Sequence, residues 1–358
     1  MSKGPVSAGA AIPFNDLKID ALLVSALPNI RYLTGFTGDN ALLLLTPAGQ
    51  TLFTDPRYTI QASEESKCPV KIHTKGPLDQ AAADRIRRKK LKRVGFEAPR
   101  IAYDAYLRLK QALPLGATLK PLAGVIERLR MIKSEEEIAC IRRSVLTNSL
   151  ALEKTLRSIK TGVSEAAIAA ELEYQMRRLG GEKAAFETIV ASGERSALPH
   201  ARPTRRKLAP DELLLIDMGT CEDGYMSDMT RMFCLGKPSK RIGDLYGAVK
   251  EAQLAAVDGV RPGVTAAQVD RKARRVLELA GFGKAFVHST GHGLGLEIHE
   301  APRLGKRDKA RLEAGMVITI EPGAYVRGFG GVRIEDTVLV TQNGCQVLTP
   351  TTKELMLL

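Results

Sequence analysis

A chain of 358 residues, 44% hydrophobic and 26% charged, is globular in composition and too long for one ordinary compact core, so two domains are the natural expectation. A net charge of +13 admits a nucleic-acid partner, yet with no Trp and only 5% aromatic residues there is little to stack on bases, and a nucleic-acid role is disfavoured. No apolar run approaches membrane-spanning length, and the five cysteines, odd in number and scattered, outline neither a zinc knuckle nor a disulfide framework.

Met1–Pro13 lacks the apolar core of a secretory signal, so a reducing, cytoplasmic setting is expected. Residues 14–126 read as an α/β domain: Ala21–Ser25, Ala41–Thr46 and Gln50–Thr54 are strand-like, Thr34–Asn40 is loop chemistry, and Pro77–Lys92 is a basic helix. Glu127–Lys133 is the expected linker. Ser134 with Glu137 forms a capping box that opens the first helix of a second domain, residues 134–358. Further helices are expected over Glu165–Leu179, stopped by Gly180–Gly181, and over Arg241–Asp258. Another is capped by Thr265 with Gln268 and runs to Ala280 before Gly281.

Strand patterns in this second domain deliver acids. Leu213–Ile216 is a short apolar run ending at Asp217, Cys221–Gly224 is turn-rich, and Met226–Leu235 returns, which places Asp217 and Asp228 in one hairpin. Val317–Ile320 carries Glu321 to a Pro–Gly stop. Gly331–Val340 reads as a single strand whose alternation puts Arg333, Glu335 and Thr337 on one face. Charges at inward-facing strand positions are too costly to bury without an opposite charge. With His292 between two glycines, the four carboxylates make an oxygen-rich set suited to two divalent cations: manganese first, cobalt or zinc as alternatives. Two adjacent cations generate a nucleophile from water at neutral pH.

The five residues, and the run His288–Glu300 around His292, resemble the creatinase/aminopeptidase, or pita-bread, metallopeptidases, most of all the Xaa-Pro peptidases (prolidase and aminopeptidase P). The resemblance covers nearly the whole chain and is most specific after Leu129. It implies a creatinase-like α/β N-terminal domain, an α+β pita-bread catalytic domain, and a homodimer. It further implies that Asp217 binds one ion, that Asp228 and Glu335 bridge both, and that His292 and Glu321 complete the other. His200, His288 and His299 occupy the family's substrate-facing positions. An imidazole there can pass a proton to the leaving amine and meet the tetrahedral intermediate. Glu321 takes the water's proton. Arg333 pairs with a metal carboxylate and fixes it. Arg303, four residues after His299, resembles the arginine that meets the terminal carboxylate in prolidases and favours dipeptides.

The resulting expectation is hydrolysis of the Xaa-Pro bond in short peptides, as a dipeptidase, with aminopeptidase P the nearest alternative. His73 has no such context and reads as surface, and Tyr225 is left outside the catalytic set. A non-enzymatic nucleic-acid or protein binder of the same fold is the distant rival, prompted by the basic run Arg85–Arg93, which reads better as a solvated helix face. Methionine aminopeptidase typically lacks a domain like residues 14–125. Creatinase does not share this ligand set, and no Gly-x-Ser-x-Gly elbow occurs.

Overall fold

The computed structural model describes residues 12–358, so Met1–Ala11 and most of the expectation placed on Met1–Pro13 lie outside it. Two compact units divide after Arg130. In the first, six strands (β1 Ala21–Val24, β2 Ala41–Thr46, β3 Gly49–Thr54, β4 Val70–Ile72, β5 Arg93–Glu97, β6 Thr118–Leu122) form a sheet in the order β4-β3-β2-β1-β5-β6. Only β2 runs antiparallel to its neighbours. Strict alternation loads both faces. Leu22, Val24, Leu43 and Leu45 pack with Ile30 of helix α1 (Leu27–Thr34) on one side. Leu23, Leu44, Phe53 and Val94 pack on the other with Leu78, Ala82 and Ile86 of α3 (Leu78–Arg88) and Leu109 of α4 (Tyr103–Ala112); α2 spans Thr59–Glu65.

Two expectations change here. The basic helix stops at Arg88, because Lys90 takes a left-handed conformation (φ 54°) and the chain turns into β5. The stretch expected as a linker is helical as far as Met131 in α5 (Val125–Met131), whose Val125, Ile126 and Arg130 are buried.

The second unit follows one plan twice: two helices, then an antiparallel hairpin-based sheet. Helices α6 (Glu135–Leu156) and α7 (Glu165–Arg178) precede the first copy, α8 (Lys240–Asp258) and α9 (Ala266–Leu279) the second. Capping boxes close at Ser134 with Glu137 and at Thr265 with Gln268. The first copy's strands are β7 Lys183–Ala184, β8 Ile189–Ser192, β9 Glu212–Met218, β10 Thr220–Glu222, β11 Tyr225–Met226 and β12 Met229–Leu235. The second copy's are β13 Gly291–Gly293, β14 Glu300–Leu304, β15 Val317–Ile320, β16 Gly323–Val326, β17 Gly330–Arg333, β18 Asp336–Val340 and β19 Cys345–Val347, and β20 (Met356–Leu357) returns to the edge of β12.

The repeat extends to hydrogen bonds. Before α7, Gly162 N–H donates to Leu208 O and Leu208 N–H to Val163 O; before α9, Gly263 N–H donates to Leu312 O and Leu312 N–H to Val264 O. Ser164 and Thr265 cap the two helices in the same way. Sequence alone hides this internal twofold.

Two strand expectations fail. Met226–Leu235 is interrupted at Ser227–Asp228: β11 pairs with β10, and β12 pairs with β9. Gly331–Val340 is two strands, not one: β17 pairs with β16, and β18 pairs with β15. Strand β15 ends before Pro322, which has no N–H for a ladder, and Glu335 N–H turns to Thr230 O on β12 at 3.2 Å. Among the described residues no helix is long and apolar enough to cross a membrane.

Candidate metal centre

Each copy of the repeat places one acid where a strand ends and another where its partner begins. Asp217 is the penultimate residue of β9 and Asp228 precedes β12; Glu321 follows β15 and Glu335 precedes β18. Glycines let the backbones close up. A Cβ at Gly291 would lie 1.9 Å from Thr319 O, and one at Gly293 2.3 Å from Ala301 O, so His292 sits between two positions open only to glycine. All five side chains line one cavity of about 790 Å³.

The polar inventory of that cavity is incomplete in a telling way. Asp217 Oδ2 accepts from Arg333 Nη2 (2.5 Å), and Glu335 Oε2 accepts from Thr230 Oγ1 (2.8 Å). Asp217 Oδ1, Asp228 Oδ1 and Glu335 Oε1 are buried with no hydrogen-bond donor among the described residues. His292 Nδ1 lies 3.0 Å from Gly293 O, which makes it the protonated nitrogen and leaves the Nε2 lone pair 3.6 Å from Asp228 Oδ2 and 3.5 Å from Glu321 Oε1. Asp228, His292 and Glu335 each offer a ligand atom within 4.8 Å of the others. A lone pair facing carboxylate oxygens, with three further oxygens unsatisfied, is a repulsive arrangement unless a cation enters.

The electrostatics say the same. Burial, then neighbouring acids, hold Asp228 and Glu335 well above the usual carboxylate range. Glu321 is pushed up to about 8, chiefly by burial. Burial brings His292 down to about 4, so its imidazole is neutral, as a ligand must be. The donor set fits hard or borderline divalent cations and includes no thiolate.

Arg333, 3% exposed, organises the acids. Besides gripping Asp217, its Nε donates to Thr230 Oγ1 (3.0 Å), and Thr230 passes a hydrogen bond on to Glu335. Its Nη1 donates to Pro199 O (3.1 Å) and to Tyr325 Oη (2.8 Å). One guanidinium thus ties an acid from each hairpin to the loop before His200.

The other candidates border the same cavity: His200, His288, His299 and Arg303. His288 Nδ1 donates to Ser289 O (2.8 Å), so Nε2 accepts from Tyr325 Oη (2.9 Å); burial holds this imidazole near 4 and neutral. His299 stands edge-on to His292, ring centroids 4.4 Å apart, with its pKa lowered chiefly by desolvation. His200 is exposed at the cavity wall. Arg303 lies opposite His292 in the β13–β14 ladder, so the two side chains share a face, and its Nε meets Ser289 Oγ at 3.3 Å. His73 is not fully at the surface as expected but half-buried, in the first unit. Tyr225 donates to Glu137 (2.9 Å) and does not line the cavity.

Three contributors escaped the sequence reading. Thr230, two residues after Asp228 on β12, was findable by alternation. Tyr325 needs Gly323 and Gly331, where a Cβ would fall 2.6 Å from its Oη and 2.5 Å from its Cδ1. Glu165, fully buried at the start of α7, accepts from Ser192 N (2.9 Å), Ser192 Oγ (2.9 Å), Thr204 N (3.1 Å), Thr204 Oγ1 (2.7 Å) and Arg195 Nε (3.2 Å). It pins both ends of the loop that carries His200.

A fold and site of this kind define a metallopeptidase, and the similarities agree. Residues 139–342 match the model of metallopeptidase family M24, and residues 13–132 match the creatinase/prolidase N-terminal domain. The chain is 39% identical to the Xaa-Pro dipeptidase of Pyrococcus horikoshii over 94% of its own length and 95% of that protein's. It superposes on an Xaa-Pro dipeptidase from Bacillus anthracis with a TM-score of 0.94 at 38% identity (96% and 97% coverage). It also superposes on an X-Pro aminopeptidase from Thermotoga maritima with a TM-score of 0.90 at 34% identity (96% and 99%). The chain belongs to metallopeptidase family M24, with a creatinase-type N-terminal domain ahead of a pita-bread catalytic domain.

Proposed function

We propose that this protein hydrolyses the Xaa-Pro bond of short peptides, dipeptides above all, using two divalent cations, manganese by preference. Asp217 would hold one ion, Asp228 and Glu335 would be shared between the two, and His292 and Glu321 would hold the second. When bound, such cations lower the pKa of water and polarise the scissile carbonyl. The observation that carries the reading is the trio of donor-less buried oxygens beside a neutral His292, in a cavity bordered by Arg303.

The chain's own residues supply the rest. Glu321 is the group to hold the proton released by the attacking water. His200 and His299 offer N–H groups to the oxyanion and pass the proton held by Glu321 to the leaving nitrogen, while His288, engaged by Ser289 O and Tyr325 Oη, holds the cavity wall beside them. Prolyl nitrogen has no hydrogen to grip, so the ring must be held by shape; Phe186, Ile189, Pro199 and Ile298 give the cavity apolar walls. Arg303 meets the terminal carboxylate. Homodimer formation in a reducing cytoplasm completes the proposal, and the five free thiols suit it.

The test compares Ala-Pro, its C-terminal amide and Ala-Pro-Ala with manganese-loaded enzyme, in wild type and Arg303→Ala. Wild type is expected to prefer the free dipeptide, and the variant to lose that preference through a KM increase of about 10–100-fold. Efficient tripeptide cleavage by wild type would instead make this an aminopeptidase. That second reading draws on the Thermotoga similarity and on Arg303 being held by a single long contact.

A further inference from the structure

Beside the catalytic cavity runs a more open groove of about 900 Å³, and the two share His288, Ser289 and Arg303 as lining. The 3.3 Å contact between Arg303 Nε and Ser289 Oγ is therefore part of the wall between them. At that length it is a weak hydrogen bond, readily parted. Lys284, Lys306 and Arg307 line the groove, are exposed, and have no ion-pair partner among the described residues. Arg274 is already committed to Asp270 (2.6 Å). The one acid in the lining, Asp308, accepts from Ala310 N–H. With Arg303, four cations confront one carboxylate in a concave site next to the reaction centre.

We propose that this groove is a subsite for the residue following proline and selects an acidic side chain there. The inference rests on the Xaa-Pro reading and extends it to a substrate class. A peptide advances about 3.3–3.6 Å per residue, so a chain passing Arg303 enters the groove within one residue of proline. A dipeptide stops at Arg303. A longer substrate displaces the Arg303–Ser289 contact and presents its third side chain to Lys284, Lys306 and Arg307, where a carboxylate is attracted and an ammonium repelled.

The experiment measures kcat/KM for Ala-Pro-Glu and Ala-Pro-Lys, each divided by the value for Ala-Pro in the same preparation. The enzymes are manganese-loaded wild type, Arg303→Ala, and the Lys306→Glu/Arg307→Glu double variant. Calorimetry of Pro-Glu and Pro-Lys gives a readout independent of turnover. Wild type should favour Glu over Lys by about tenfold at low salt, with the ratio shrinking near 1 M salt, where the Debye length falls to about 3 Å. Arg303→Ala should raise both tripeptide ratios and keep the preference; the charge reversal should invert it. Equal ratios for the two tripeptides, or a preference that survives the reversal, would overturn the subsite while leaving the Xaa-Pro reading intact. Failure to cleave Ala-Pro at all would overturn the underlying reading instead.

Discussion

In the N-terminal unit the buried Glu97 carboxylate accepts from Ser25 N–H (2.7 Å), Ala26 N–H (2.9 Å) and Asn29 Nδ2 (2.5 Å), and Asn29 in turn accepts from Arg130. In the catalytic unit Asp217, Asp228 and Glu335 are as thoroughly buried, yet each keeps an oxygen with no donor. Even within that unit the contrast recurs. Asp336, adjacent to Glu335, is fully engaged by Arg231, Gln253 and Lys353. Burying an acid is an ordinary structural device when its lone pairs are met, and costs about 1–3 kcal/mol or more when they are not. Unmet lone pairs, rather than burial or charge, set Asp217, Asp228 and Glu335 apart from Glu97 and Asp336.

Stripping the metals should break this contrast most severely. Exhaustive chelation is expected to cost at least about three orders of magnitude in kcat/KM, with manganese or cobalt restoring it. Full activity in protein verified metal-free by elemental analysis would end the proposal. The metal-free protein should also carry a pH signature. Glu321, at about 8 in the fold against an ordinary value near 4.3, contributes stability that is complete below about pH 4 and lost as pH rises through 8. His288 and His292, at about 4 against about 6.5, contribute stability that is complete above pH 6.5 and lost as pH falls through 4. Metal-free Tm should therefore peak between about pH 5 and 6.5 and decline toward 8, whereas metal-loaded protein should hold its Tm to pH 8. Superimposable Tm–pH curves would contradict the assignment.

Single carboxylates come next. Asp228→Asn and Glu335→Gln should each abolish turnover but raise the metal-free Tm at pH 8, since each removes a mutually repelled charge from a buried cluster. A variant that kept near-wild-type turnover would remove that residue from the ligand set. His200→Ala, His288→Ala and His299→Ala should keep their metal while losing about two to four orders of magnitude in kcat/KM; metal loss in any of them would reveal a ligand. The smallest effect belongs to the satisfied region. Glu97→Ala should lower stability by about 1–3 kcal/mol, read by urea melts, and leave kcat/KM unaltered.

The convergence of Asp217, Asp228, His292, Glu321 and Glu335 on one cavity was legible because each sits where an apolar run meets an acid or a glycine pair, a signal local enough to read along the chain. The helix starts at Ser134 and Thr265 were legible for the same reason: a capping box spans four residues. What stayed hidden was set by distant partners. Gly331–Val340 alternates as one strand, but its break is dictated by Thr230, about a hundred residues earlier, which takes Glu335 N–H out of the local ladder. Tyr325 and Glu165 look like ordinary hairpin and helix-start residues until His288, Arg333 and the loop around His200 are folded against them.

The doubled plan of the catalytic unit also sets how the candidate side chains are shared out. Asp228 and Glu335 hold matching places in the two copies, each just before its strand, and Asp217 and Glu321 lie near the ends of the strands opposite, so each copy brings two acids to one cavity. The imidazole is the exception. Among the five candidates, the first copy contributes acids alone and the second adds an imidazole.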